Sequence, residues 1–157
     1  MKVRSIVVVF IALVTLVIAG IAVAQIKRPY HDGSVWDITF VRTKAGMGSA
    51  YMDYLATDWK KNHEDMKKAG LILSYKVIGT EPHSPADFDL MLMVEYKDLA
   101  TMEAGSDKAD ALAQSTIGDD KKQMEGYKQR ADIREIIGDR LSREIILEPK
   151  WSKYRFY

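Results

Sequence analysis

The fold is decided by four runs: VWDITFVR at 35–42, YMDYLATDWKKNHEDMKKAG at 51–70, LILSYKVI at 71–78 and FDLMLMVEY at 88–96. In the first run, Trp36, Ile38 and Phe40 fall on one face of a strand, and Val35, Asp37, Thr39 and Val41 on the other. The bulkier set is expected to be the core face. The second run has helical spacing. A rotation of about 100° per residue aligns Tyr51, Leu55, Trp59, Asn62, Met66 and Ala69 on one stripe. Lys60, Lys61, Glu64, Asp65, Lys67 and Lys68 fall mostly elsewhere. Residues 44–48 form a glycine-bearing turn, Ser49 is placed to cap the helix, and Gly70 is placed to end it.

Two further strands follow. Leu71, Leu73, Tyr75 and Val77 alternate with Ile72, Ser74, Lys76 and Ile78, and a loop with Pro82 and Pro85 leads to the next run. There Phe88, Leu90, Leu92, Val94 and Tyr96 alternate with Asp89, Met91, Met93 and Glu95. The middle of that strand is apolar on both faces, which marks a strand covered on two sides. Helices can cover only one. The opposite face is expected to carry Val35, Asp37, Thr39, Val41, Ser74, Lys76, Met91, Met93 and Glu95. Such a surface is too apolar for full solvation and too polar for a dry core. A second copy of the chain, enclosing a partly polar cavity, satisfies both.

The last third reads as helix in broken pieces over 97–118, interrupted at Gly105 and Gly118, then a helix over 119–137. That second helix has Met124, Tyr127, Ala131, Arg134 or Ile133, and Ile137 at helical spacing, is weakened at Gly126 and ends at Gly138. Residues 141–148 form the closing strand, and Pro149 stops it. The tail 149–157 carries Trp151, Tyr154, Phe156 and Tyr157, a set that packs on the body or on a partner.

At the other end, Lys2 and Arg4 precede an apolar run, and Ala22-Val23-Ala24 precedes Gln25. Basic start, apolar middle and small residues at the cleavage site make 1–24 a signal peptide. The product is expected to be exported, periplasmic or secreted. The alternative is a membrane anchor formed by residues 5–24, which Lys27 and Arg28 would favour. Residues 25–34, with Pro29, His31, Asp32 and Gly33, read as a linker, and the domain proper as 35–148.

Composition excludes several functions. The chain has 23 basic and 22 acidic side chains, so it has no electrostatic footprint for nucleic acid. It has no cysteine, so disulfides, thiolate catalysis and cysteine metal sites are ruled out. No phosphate-binding glycine loop, G-x-S-x-G elbow, H-E-x-x-H pair or EF-hand is present. The three histidines lie in the linker, a helix and a proline loop, so no metal site is expected. A haem with His63 as axial ligand is compatible with the architecture, but no motif calls for a cofactor. Two polar residues interrupt the helical stripe: Asn62 near its middle and His63 at its edge. With Trp59 they form the candidate small-molecule site; the plainer reading is that Asn62 bonds a neighbouring backbone group and His63 sits at a half-exposed helix border.

The segments VWDITFVRTKAGMGSAYMDYL (35–55), MVEYKDLATMEA (93–104) and LSREIIL (141–147) together resemble the dimeric α/β-barrel superfamily, and within it the NIPSNAP-like group and related exported bacterial proteins. The resemblance implies an α+β, ferredoxin-like β-α-β-β-α-β fold: a four-stranded antiparallel sheet with helices on one face and, in this chain, an extra helical segment before the last helix. It also implies homodimers that pack sheet against sheet. The superfamily spans cofactor-free monooxygenases, haem enzymes and proteins of no assigned activity, and no catalytic residue carries over.

Three functions remain. The chain is expected to bind a small, largely apolar molecule between helix and sheet, with a cavity lined by Trp59, Asn62, His63, Asp37, Thr39, Lys76, Met91, Met93 and Glu95. The alternatives are a monooxygenase-like enzyme using Trp59, Asn62 and His63, and a membrane-anchored structural or interaction protein. N-terminal sequencing of the exported product separates the last from the others. The expected first residue is Gln25, and a chain that retains 1–24 would establish the anchor.

Overall fold

Strand β1 (Tyr30–Thr43) has a neighbour on each side: β3 (Leu90–Tyr96) and β4 (Arg134–Leu147), both antiparallel to it. Strand β2 (Ser74–Gly79) pairs with the far side of β3, so the order is β2-β3-β1-β4. The helical elements are α1 (Gly48–Tyr54), a π-helical turn (Leu55–Trp59), α2 (Lys60–Lys68), α3 (Leu99–Ala104), α4 (Ser106–Thr116) and α5 (Asp120–Ile133). With the first and last strands adjacent at the centre and edge, the α+β chain has ferredoxin-like topology.

The computed structural model describes residues 28–148; the expected signal peptide at 1–24 and the aromatic tail 149–157 lie outside the described residues. The chain divides into two units, and the body is Tyr30–Leu147. In the other unit the described residues include Glu148, whose N–H donates to Pro29 O at 2.8 Å.

The core forms where α1, the π turn and α2 meet the sheet. Val41, Tyr51, Leu55 and Leu92 make one buried cluster; Met66, Leu71, Ile72 and Val94 make another. Trp59 packs against both. The stripe expected along the first helix is therefore the buried one, and Gly70, at φ 71°, turns the chain out of it. Ala109 and Leu112 of α4 pack on the second cluster, so the extra helical segment extends that layer. Asp98 and Asp119 start α3 and α5 by accepting from the backbone N–H groups of Thr101 (2.7 Å) and Lys122 (2.9 Å).

Several expectations are corrected. The faces of β1 are inverted: register places Val35, Asp37, Thr39 and Val41 in rows with Tyr96, Val94, Leu92 and Leu90, on the helix side. Val35 is 2% exposed and Val41 0%. Trp36, Ile38 and Phe40 face away from the helices. The cause is steric: Tyr51, Tyr54 and Trp59 already fill the helix–sheet layer, leaving room for valine beneath them. Ser49 is not the cap, since α1 starts at Gly48 behind Met47 with no side-chain cap. Leu73 is exposed while Leu71 and Ile72 are buried ahead of the strand, which begins only at Ser74.

Tyr30–Ser34 belongs to β1 rather than to a linker. Its polar residues are held across strands: Arg143 Nη1 donates to Asp32 Oδ2 (3.0 Å), and Ser34 Oγ to Glu144 Oε2 (3.3 Å). Gly33 sits against the same glutamate, where a Cβ would meet Glu144 Oε2 at 2.7 Å. The last helix ends at Ile133, not Ile137, and β4 takes over at Arg134. A register irregularity between Phe40 and Val41 absorbs Ile137, and Gly138 lies within the strand opposite Phe40. No residue of α5 is fully buried, although Ile133 at its end packs against the first cluster; Met124 and Tyr127 of its expected stripe are 56% and 54% exposed.

Two truncations separate core from periphery. Leu55→Ala should cost about 2–5 kcal/mol in chemical denaturation. Met124→Ala should stay within about 0.5 kcal/mol of the native chain. A reversed ranking would mean that α5, not α1, anchors the helical layer.

Candidate functional site

The nine expected lining residues divide into groups on opposite faces of the sheet. Trp59, Asn62 and His63 lie in the helical layer, with Asp37 and Thr39 on the sheet face beneath it. Lys76, Met91, Met93 and Glu95 project from the other face. One protomer cannot bring both groups into a single cavity.

On the helical side, Trp59, His63 and Tyr75 form a ring cluster. Centroids are 4.0 Å apart for Trp59–His63, 5.3 Å for Trp59–Tyr75 and 5.5 Å for His63–Tyr75. His63 Nδ1 lies 2.7 Å from the Trp59 carbonyl oxygen. A carbonyl only accepts, so Nδ1 carries the proton and Nε2 the lone pair of the neutral ring. Burial pushes the His63 pKa down, and the bond to Trp59 offsets part of that effect. The Tyr75 hydroxyl donates to Glu64 Oε1. Partial burial, then that bond, push the Tyr75 phenol up to about 12.

Asn62 Nδ2 donates weakly to Met66 Sδ at 3.7 Å, while Asn62 Oδ1 is buried and has no partner among the described residues. Asn62 is thus not bonded to backbone, whereas His63 is half-buried, as a position at the helix border would be. The π turn ends at Trp59, immediately before this cluster, and Thr57 Oγ1 within it donates to Asp53 O at 2.7 Å. Such wide turns often accompany functional positions. Asp37 faces the helical side near the β4 edge; burial first, then the Asp139 carboxylate, push its pKa up.

The open face is a grid read from the pairing register. Its rows are Ser74–Glu95–Trp36–Ser142, Lys76–Met93–Ile38–Arg140 and Ile78–Met91–Phe40–Gly138. Lys76 Nζ sits 4.3 Å from the Trp36 ring centroid, and Ser74 Oγ donates to Glu95 Oε2. Phe40 meets Phe88 edge-on at 4.7 Å. Beside them is a recess of about 240 Å³ lined by Phe40, Phe88, Ile137, Gly138 and Arg140. Sequence reasoning missed Trp36, Ile38, Phe40 and Phe88 as site residues because it assigned the large side chains of β1 to the core. The only available signal was the size of the helix-borne aromatics, which competes for the same space.

Among the described residues, no three His, Asp or Glu side chains converge as a metal site would require, and His31, His63 and His83 stand on separate elements. Also among them, no helix is long and apolar enough to cross a membrane.

No protein-family model matches the chain, and no curated protein does. The NIPSNAP-like resemblance is therefore not matched by a family model. Among solved structures, HapK from Hahella chejuensis is similar at 11% identity and a TM-score of 0.45, over 78% of this chain and 99% of that one. The ferredoxin-like description stands on strand order and element order.

The buried histidine has a pH signature. Its folded pKa lies below 6.5, so below that pH the unfolded chain takes up the proton first and folding loses stability. Above it both states are neutral there and nothing is lost. Thermal unfolding of the native chain should weaken on acidification through this window by at most about 1.4 kcal/mol per pH unit from this group. His63→Phe should flatten that slope; equal slopes in both proteins would rule out a buried neutral His63.

Proposed function

We propose that the chain is an exported homodimer that binds a small, largely apolar molecule over the open face of its sheet, with no chemistry of its own. The observation that carries this reading is that Trp36, Ile38, Phe40, Ile78, Met91 and Met93 all lie on the face without helices. A contiguous apolar sheet face of this kind marks an interaction surface. A second copy, related by a two-fold axis, would offer the same surface in return. Lys76, Glu95, Ser74 and Arg140 interrupt the face with polar groups, which favours an interface that encloses space over one that is fully dry. The recess at Phe40 and Phe88 supplies the start of such a space.

This moves the ligand from the layer between helix and sheet, where Val41, Tyr51 and Leu55 already fill the room, to the space between sheets. The dimeric α/β-barrel resemblance supports the same arrangement. Export rests on the segment 1–24 alone.

A second reading is favoured by one observation, the unpartnered Asn62 Oδ1 beside Trp59 and His63. It makes the helical side an oxygenase-like site, with haem on His63 as its coloured variant. His63 Nε2 is the atom that would serve as base or ligand.

Sedimentation tests the main reading. The native chain should sediment as a dimer, and Phe40→Glu should weaken association by at least about thirtyfold, or 2 kcal/mol. Far-ultraviolet circular dichroism should be unchanged, because Phe40 faces away from the helices. Native mass spectrometry should show the dimer with added ligand mass. A monomeric native chain would remove the basis of the proposal.

A further inference from the structure

The end of α5 and the start of β4 carry a group of cations that the open sheet face does not involve. Tyr127 and Arg130 are neighbours one turn apart on α5, and Arg134 follows as the first residue of β4. The Arg130 guanidinium lies 4.8 Å from the Tyr54 ring and 5.8 Å from that of Tyr127. The Arg134 guanidinium lies 5.8 Å from each of Tyr51 and Tyr127. Arg130 Nη1 passes close over Gly126, where a Cβ would meet it at 3.0 Å. Lys44 joins them from the β1–α1 turn, where its backbone N–H donates to Ile133 O at 3.0 Å.

The charges of this group are not met locally. The ion pairs among the described residues are Arg42–Glu135, Lys68–Asp65 and Arg143–Asp32, and none takes up Arg130, Arg134 or Lys44. The Nε atoms of Arg130 and Arg134 are both buried with no hydrogen-bond partner among the described residues. Stacking on rings offsets part of the cost of desolvating a guanidinium but brings no counter-charge. The phenols do not supply one either, because burial pushes Tyr51 up to about 12 and raises Tyr54, against the opposing pull of Arg134 and Arg130. The nearby carboxylates are engaged. Glu135 accepts from Arg42 Nη2 at 2.7 Å, and Asp89 accepts from Thr43 N–H through both oxygens, at 3.1 and 3.2 Å. Asp58 lies close enough to Tyr54 to raise its pKa, and among the described residues it makes no ion pair with Arg130 or Arg134.

Beside the cations is a recess of about 450 Å³ lined by Lys44, Tyr127, Ala131, Arg134, Glu135 and Ile136. We propose that this recess is a binding site for the oxyanion group of a small molecule, carboxylate or phosphate, held by Arg134 and Lys44. Guanidinium presents a planar donor fork that matches either oxyanion, and lysine adds a point charge. Tyr127, Ala131 and Ile136 provide an apolar wall for the body of the ligand. Arg130 is a positioning residue, sharing the Tyr127 ring with Arg134 and holding it in place.

Calorimetric titration of the full chain with inorganic phosphate and with benzoate tests the site. At least one probe should bind saturably and more weakly as salt is raised. Binding should fall about tenfold in Arg134→Gln or in Lys44→Gln, and stay unchanged in Lys121→Gln. Arg134→Gln also removes a stacking contact with Tyr51, so Lys44→Gln, in an exposed turn, serves if that variant does not fold. Response to phosphate alone or to benzoate alone identifies the oxyanion, and loss in either variant sustains the assignment. Saturable binding of neither probe, or binding undiminished in the folded variants, would overturn it.

Discussion

Strand β1 is paired along both edges, with Val35 and Val41 buried on one face and Trp36, Ile38 and Phe40 together on the other, yet only one layer of helices lies over it. Everything else follows from how that conflict is resolved. The helices bring their own large side chains, Tyr51, Leu55 and Trp59, so the strand residues beneath them must be small. Val35 and Val41 meet that condition, and the register then sends Trp36, Ile38 and Phe40 to the other side together. A pleated strand allows no compromise, because moving one side chain moves them all. The open face is therefore a direct consequence of how the core is packed.

Much of this was legible in the residues. The order of elements, the buried stripe from Tyr51 to Ala69, the stop at Gly70 and the broken helical segment after β3 follow from periodicity and glycine placement. What failed did so for physical reasons. Alternation shows that β1 has two faces but cannot say which one the helices cover, since that depends on volumes contributed from elsewhere. Tyr30–Ser34 joins a strand through ion pairs and hydrogen bonds with Arg143 and Glu144, contacts more than a hundred residues away that leave no local apolar pattern. The change from helix to strand at Arg134 is hidden because Ile133, Ile136 and Ile137 fit either period.

The site residues show the same limit. Trp59, Asn62 and His63 were placed on one helix side by spacing, and Tyr75 joins them only through the packing of β2 beneath. Lys76, Met91, Met93 and Glu95 were assigned to the open face by parity. Arg130 and Arg134 carried no such signal, because an arginine at helical spacing usually marks a solvated face. What distinguishes them is the set of rings they lie on, drawn from α1 and α5. The chain thus keeps the Arg130–Arg134 pair at the end of its last helix, apart from the mixed apolar and polar surface of its open sheet face.

The pairing of β1 with β4 also sets an order of events. Tyr30 faces Leu147 across the sheet, so the first strand cannot complete its hydrogen bonding until the last one has been made. The contacts that close the sheet are the most distant in sequence, a topology in which loop-closure entropy must be met before the pairing rewards it. Until then, one edge of β1 and its row of Trp36, Ile38 and Phe40 stand uncovered together. Completion of the sheet removes that open edge and leaves only the open face, so a β1 edge free to pair with another chain is confined to the time before Leu147 is in place.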